Sequence, residues 1–107
     1  MVFIELPIFV RRAAELFADE DLARIQLILL ENPAAGDLMS GGRGLRKLRV
    51  PLPGPGKQGG ARVIYYHWTS RSQCYLIYAY AKNVAENLTK DQLARLAALM
   101  DAEVQNG

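Results

Sequence analysis

The spacing of apolar residues changes repeatedly along the chain, and each change predicts an element. VFIEL (2–6) is a short apolar run ended by Pro7, which suits a first strand. Pro7 fits the first turn of a helix, where its missing N–H costs little. Ile8, Phe9, Ala13, Leu16 and Phe17 then fall at helical spacing. Asp19 is the expected cap of a second helix, with Glu20 and Asp21 complementing its positive end and Leu22, Ile25, Ile28 and Leu29 forming its buried stripe. Asn32-Pro33 stops it, and residues 34–37 read as a connection. In GLRKLRV (44–50), Arg46, Leu48 and Val50 share one parity and Lys47 and Arg49 the other, predicting a strand with a basic stripe. PLPGPGKQGG (51–60) is a loop, while RVIYYHW (62–68) and CYLIYAYAK (74–82) are strands joined by a tight turn. Thr89 caps a last helix whose one face carries Leu93, Leu96, Ala97, Met100 and Val104. The order β-α-α-β-β-β-α predicts an α+β fold with a mainly antiparallel sheet and a C-terminal helix.

A chain of 107 residues with no repeat or linker predicts one domain over residues 1–107. No apolar run approaches the roughly 20 residues that span a bilayer, so no membrane association is expected. The first residues carry an acid and late arginines, unlike a signal peptide, and the expected location is the cytoplasm. Cys74 has no partner for an internal disulfide. One cysteine and one histidine fall short of the usual zinc ligand set, so neither metal nor cofactor is expected.

Charge changes the picture more than composition does. The net charge of +2 hides a division into three segments. Residues 1–37 sum to −4 and residues 86–107 to −2. Between them, Arg43, Arg46, Lys47, Arg49, Lys57, Arg62, Arg71 and Lys82 stand without a single acid, giving +8 over residues 38–85. Such a segment predicts a polyanion-binding face; its plain alternative is a solvated face with counterions.

Side chains on a strand alternate faces. Arg62, Ile64, Tyr66 and Trp68 should therefore share one face, and Cys74, Leu76, Tyr78, Tyr80 and Lys82 another common one. A hairpin closing at residues 71–72 sets Arg62 across from Lys82 or Tyr80, beside the glycine loop that holds Lys57. Facing cations are unfavourable unless an anion lies between them, and phosphate is the natural one. Glycines 54, 56, 59 and 60 would let backbone N–H groups approach it. By parity alone, Arg62 and Lys82 read equally as strand-end charges reaching into water. His67 has the opposite parity to Arg62 and reads as a bystander, and Cys74 as packing.

GLRKLR, then GKQGGARVIYY, then YLIYAYAKN with a terminal LTKDQLARL helix together resemble the RelE/ParE superfamily of bacterial toxins, most closely the HigB branch of its RelE-like members. The resemblance spans nearly the whole chain and implies the β-α-α-β-β-β core read above. It implies the toxin of a type II toxin–antitoxin system, a ribosome-dependent mRNA endoribonuclease that needs no metal. The implied partners are mRNA in the ribosomal decoding site and a helix-turn-helix, HigA-like antitoxin. By motif position, Arg62 matches the family's strand arginine, Lys82 the basic residue ending the next strand, Lys47 and Arg49 the alternating basic pair, and Lys57 the loop lysine. The expected catalytic set is thus Arg62, Lys82 and Lys47, with Arg43, Arg46, Arg49, Lys57, Tyr80 and Asn83 binding RNA or phosphate. Gln58 stands where a second basic residue is common, and Val84 where a Glu is common. The ParE branch, whose members inhibit gyrase, and a non-catalytic RNA-binding module are the alternative readings.

Overall fold

The computed structural model describes residues 1–53, 59–83 and 87–106. Five strands form one sheet: β1 (Val2–Glu5), β2 (Asp37–Leu38), β3 (Arg46–Val50), β4 (Ala61–Trp68) and β5 (Gln73–Ala81). Their spatial order is β1-β5-β4-β3-β2, with β1 parallel to β5 and every other pair antiparallel. The helices are α1 (Pro7–Leu16), α2 (Asp19–Glu31) and α3 (Lys90–Asn106). The α+β fold expected from the sequence is therefore the observed one. The two-residue β2 falls where a plain connection was expected.

The helices cover both faces of the sheet. Phe9 and Ala13, one turn apart on α1, join Phe17 and the Ile25 and Leu29 stripe of α2. They pack onto Leu48, Val50, Ala61, Val63 and Tyr65. On the other face, Leu96, Ala97 and Met100 of α3 meet Leu45, Ile64, Tyr75, Ile77 and Tyr80. Pro7 occupies the first turn of α1, as its chemistry predicts. Thr89 and Gln92 bond reciprocally at the start of α3: Gln92 N–H donates to Thr89 Oγ1 at 3.1 Å, and Thr89 N–H to Gln92 Oε1 at 2.9 Å. The expected cap of α2 is corrected. Asp19 is already helical and Ala18 holds the cap position, where its N–H donates to Asp21 Oδ2 at 2.9 Å. Two acids in reach of the same helix end compete, and the one a turn inside reaches back better.

Tyr65 is fully buried and ties the α2–β2 connection to β4. Its hydroxyl donates to the Pro33 carbonyl at 2.6 Å and accepts the Gly36 N–H at 2.9 Å. Gly36 has no room for a side chain, because a Cβ would lie 2.7 Å from the Tyr65 ring and 2.9 Å from the Lys47 carbonyl.

The β4–β5 hairpin departs from simple alternation. Ile64 pairs with Tyr78, but Tyr65 pairs with Leu76, so Ile77 is the extra residue of a bulge. The bulge reverses parity along β5. Cys74 and Leu76 enter the core under α1 and α2, whereas Tyr80 enters the core under α3. The single face expected for Cys74, Leu76, Tyr78, Tyr80 and Lys82 is thus corrected: the strand changes face at Ile77.

Burial raises the Cys74 thiol from 9.0 to about 12. Desolvation raises the buried Tyr65 and Tyr80 hydroxyls in the same direction. The unfolded chain gives up these protons at lower pH than the folded one, so stability is whole below pH 9 and falls as pH rises toward 12. Urea unfolding at stepped alkaline pH should show this loss, and Cys74→Ala should make it shallower. A profile unaltered by that substitution would contradict it.

Candidate functional site

The basic stripe of β3 lands on the α3 side of the sheet. Leu48 and Val50 point toward α1 and α2, so Lys47 and Arg49 point the other way, as their alternation predicts. Cross-strand register then assembles the site. Arg49 pairs directly with Arg62, and Arg62 with Tyr80, making a row across β3, β4 and β5. The expected neighbour of Arg62 is therefore Tyr80, with Lys82 just beyond β5. The Arg49–Arg62 pairing escapes a reading of the β4–β5 hairpin alone. The sequence does carry a signal for it, since centring the hairpin on the loop 51–60 places residue 49 opposite 62.

A hollow of about 290 Å³ opens over this row, lined by Lys47, Arg49, Arg62, Lys82 and Asn87. Of the five described residues that line it, four are cations and none is an acid. Arg62 is only 7% exposed. One of its guanidinium nitrogens donates to the Gly59 carbonyl at 2.7 Å and the Ala61 carbonyl at 3.1 Å. Those bonds hold the guanidinium in place from the loop side while it borders the hollow. Lys47 Nζ donates to Asn87 Oδ1 at 3.3 Å, which links β3 to the segment entering α3. Asn87 lies outside the acid-free segment, and no sequence pattern marks it.

Gly59 and Gly60 turn the chain into β4 with φ of +78° and +64°. The Lys82 stem lies over Gly59, where a Cβ would come within 2.5 Å of its Cδ. The Lys82 N–H donates to the Gly60 carbonyl at 3.0 Å, so the loop and the end of β5 are held together. Tyr80 is 2% exposed, and its hydroxyl finds no hydrogen-bond partner among the described residues. Burial raises its pKa, and the Arg62 charge opposes that rise.

The other expected site residues divide. Arg46 is on the opposite parity, and its guanidinium donates to the Gly36 carbonyl at 2.8 Å. The structure does not bring it to the hollow. Arg43 pairs with Asp101 of α3 at 2.8 Å and lies outside the hollow as well. Asn83 follows Lys82 in the turn leaving β5. Lys57, with Gln58 and Val84, lies outside the described residues. His67 pairs with Cys74, which belongs to the core on the α1–α2 side, away from Arg62. Among the described residues, no group of three or more His, Cys, Asp or Glu side chains could hold a metal. No described helix is long and apolar enough to cross a membrane.

The fold agrees with what is found among known proteins. A solved structure described as the free state of an E. coli RelE toxin mutant superposes with a TM-score of 0.62, covering 92% of this chain and 95% of that one at 16% identity. At that identity the likeness concerns the fold alone. The family model described as the RelE toxin of the RelE/RelB toxin–antitoxin system matches residues 7–105, from the first turn of α1 to the last of α3. The chain belongs to the RelE toxin family.

Proposed function

We propose that this chain is an mRNA endoribonuclease that acts on ribosome-bound message, held in check by a helix-turn-helix antitoxin of the HigA type. The observation that carries this reading is the hollow in which Lys47, Arg49, Arg62 and Lys82 converge with no acid among the described residues that line it. Two arginines in direct cross-strand pairing repel each other in the free protein, and a phosphate between them reverses the sign of that interaction.

The chemistry that fits is internal transesterification of RNA. The 2′-oxygen attacks phosphorus, the bond to the 5′-oxygen breaks, and the products are a 2′,3′-cyclic phosphate and a 5′-hydroxyl. The proton lost from the 2′-OH is matched by the one gained at the 5′-oxygen, and no metal or cofactor takes part. Arg62 clamps the scissile phosphate, because a guanidinium meets two phosphate oxygens at once. Lys82 neutralises the charge that develops on phosphorus, and Lys47 and Arg49 hold the flanking backbone. Tyr80, buried beneath the row and absent from the lining of the hollow, supports Arg62 from below instead of meeting the RNA. An open hollow orients a flexible strand poorly, so the ribosome supplies the in-line alignment. That requirement places the reaction in the cytoplasm, with the whole chain acting as one domain.

A cleavage assay with purified protein, ribosomes and a defined message tests this. Cuts should map to the decoding site, and Lys82→Ala should slow them roughly 10²-fold. Equal cutting of naked RNA would count against the reading. DNA breaks and filamentation in expressing cells, with intact message, would favour a gyrase inhibitor instead.

A further inference from the structure

A second cavity, of about 340 Å³, adjoins the cationic hollow and shares Lys47, Arg49 and Asn87 with it. Its chemistry differs. Leu38, Met39, Leu88 and Leu93 supply apolar walls, and Asp37, Ser40 and Thr89 supply polar groups. Phosphate has no use for apolar walls. A flat heteroaromatic ring does, and protein sites for single-stranded RNA commonly pair such a surface, or an arginine plane, with hydrogen bonds to the base edge. Arg49 borders both cavities and can pack against a base in one while its charge serves the other.

Among the described residues, Asp37 is the one acid lining either cavity. It pairs with Lys47 across β2 and β3, so its side chain shares the face of the basic stripe. Its carboxylate enters no ion pair among the described residues. The Thr89 hydroxyl is already occupied in the α3 cap, which leaves Asp37 as the main acceptor. An ionised carboxylate only accepts hydrogen bonds. Among the RNA bases, guanine presents two adjacent donors, N1–H and N2–H, that match both oxygens. Adenine and cytosine set an acceptor next to their amino group, and uracil flanks its single N–H with carbonyls.

The geometry points to a guanine-binding subsite formed by Asp37, Ser40 and the apolar wall beside the phosphate hollow. It gives the protein a sequence preference at the nucleotide whose phosphate Lys47 and Arg49 hold. The inference rests on the nuclease reading, since it takes the adjoining hollow as the phosphate site.

Titration of the whole protein with the four nucleoside 3′- and 5′-monophosphates, and with inorganic phosphate, tests it by amide chemical-shift changes. A guanosine monophosphate should bind at least about tenfold tighter than its uridine counterpart, the discrimination typical of a bidentate contact. Shifts should appear at Ser40 and Leu88. Asp37→Asn should cut that preference to less than about threefold while inorganic phosphate binds as well as before. Equal affinity for all four nucleotides, with phosphate binding intact, would remove the subsite and leave the nuclease site standing. A guanine preference that survives Asp37→Asn would equally overturn it. Absence of any phosphate binding would remove both.

Discussion

Replacing Arg62 by alanine should slow ribosome-dependent RNA cleavage by roughly 10²–10³-fold and abolish growth inhibition, the loss expected for one preorganised donor to a developing oxyanion. The size of the effect follows from how this arginine is held. It sits in the middle of a three-strand row, nearly buried, and the Gly59 and Ala61 carbonyls fix its guanidinium against the loop. Among the described residues, no other cation of the hollow is held by two backbone carbonyls: Lys47 has one side-chain amide contact, and Arg49 and Lys82 are exposed. A fixed charge stabilises the transition state without reorganising first. Folding should survive the change. Two hydrogen bonds are lost, but the repulsion from Arg49 is relieved, so the melting temperature should move by less than about 8 °C, or about 1 kcal/mol. Arg62→Lys should restore only part of the activity, because an ammonium keeps the charge and loses the bidentate match. Undiminished toxicity of the alanine variant would place the chemistry elsewhere.

The largest effect on stability should come from Gly60→Ala. Gly60 has φ of +64°, and a Cβ there would run into the Val50 carbonyl oxygen. That oxygen belongs to the end of β3, and the Gly60 carbonyl itself accepts the Lys82 N–H. Backbone lies on both sides, so relief requires separating β3 from the loop. The left-handed conformation alone costs about 1–3 kcal/mol for a residue with a side chain. The total loss in urea unfolding should reach at least about 2 kcal/mol, with the steric term added to that strain. Gly59→Ala is the informative contrast. Its Cβ meets the Lys82 side chain, which can swing away. It should therefore lose less stability than Gly60→Ala and yet slow cleavage, because Lys82 leaves the hollow. Unchanged unfolding of Gly60→Ala would show that the loop is not held as described.

The contrast between β3 and β5 explains how far the site could be read from sequence. In β3 the alternation of Lys47, Leu48, Arg49 and Val50 survives unbroken, and both cations land where parity sends them. In β5 one bulged residue, Ile77, shifts the register. Bulges leave no composition signal here, since Leu76, Ile77 and Tyr78 are all good strand formers. The row of Arg62 and Tyr80 remained legible because both lie on the same side of the bulge, nearer the glycine loop. Arg46 and Arg43 show the opposite limit. Both sit in the basic segment, but one is drawn to the Gly36 carbonyl and the other to Asp101. A charge count cannot foresee partners that arrive from distant parts of the chain.

The sequence by itself determined the three helices and four of the five strands, the α+β class, the family resemblance and the acid-free basic segment. These depend on spacing, capping and composition, which are local properties. Only the tertiary structure decided that Asn87 meets Lys47, that Asp101 draws Arg43 away, and that Asp37 lines one cavity with Leu88 and Leu93. Each of these joins residues far apart in the chain. Strand register and the packing of α3 set such contacts, because they place side chains from separate elements on one face at a few ångströms.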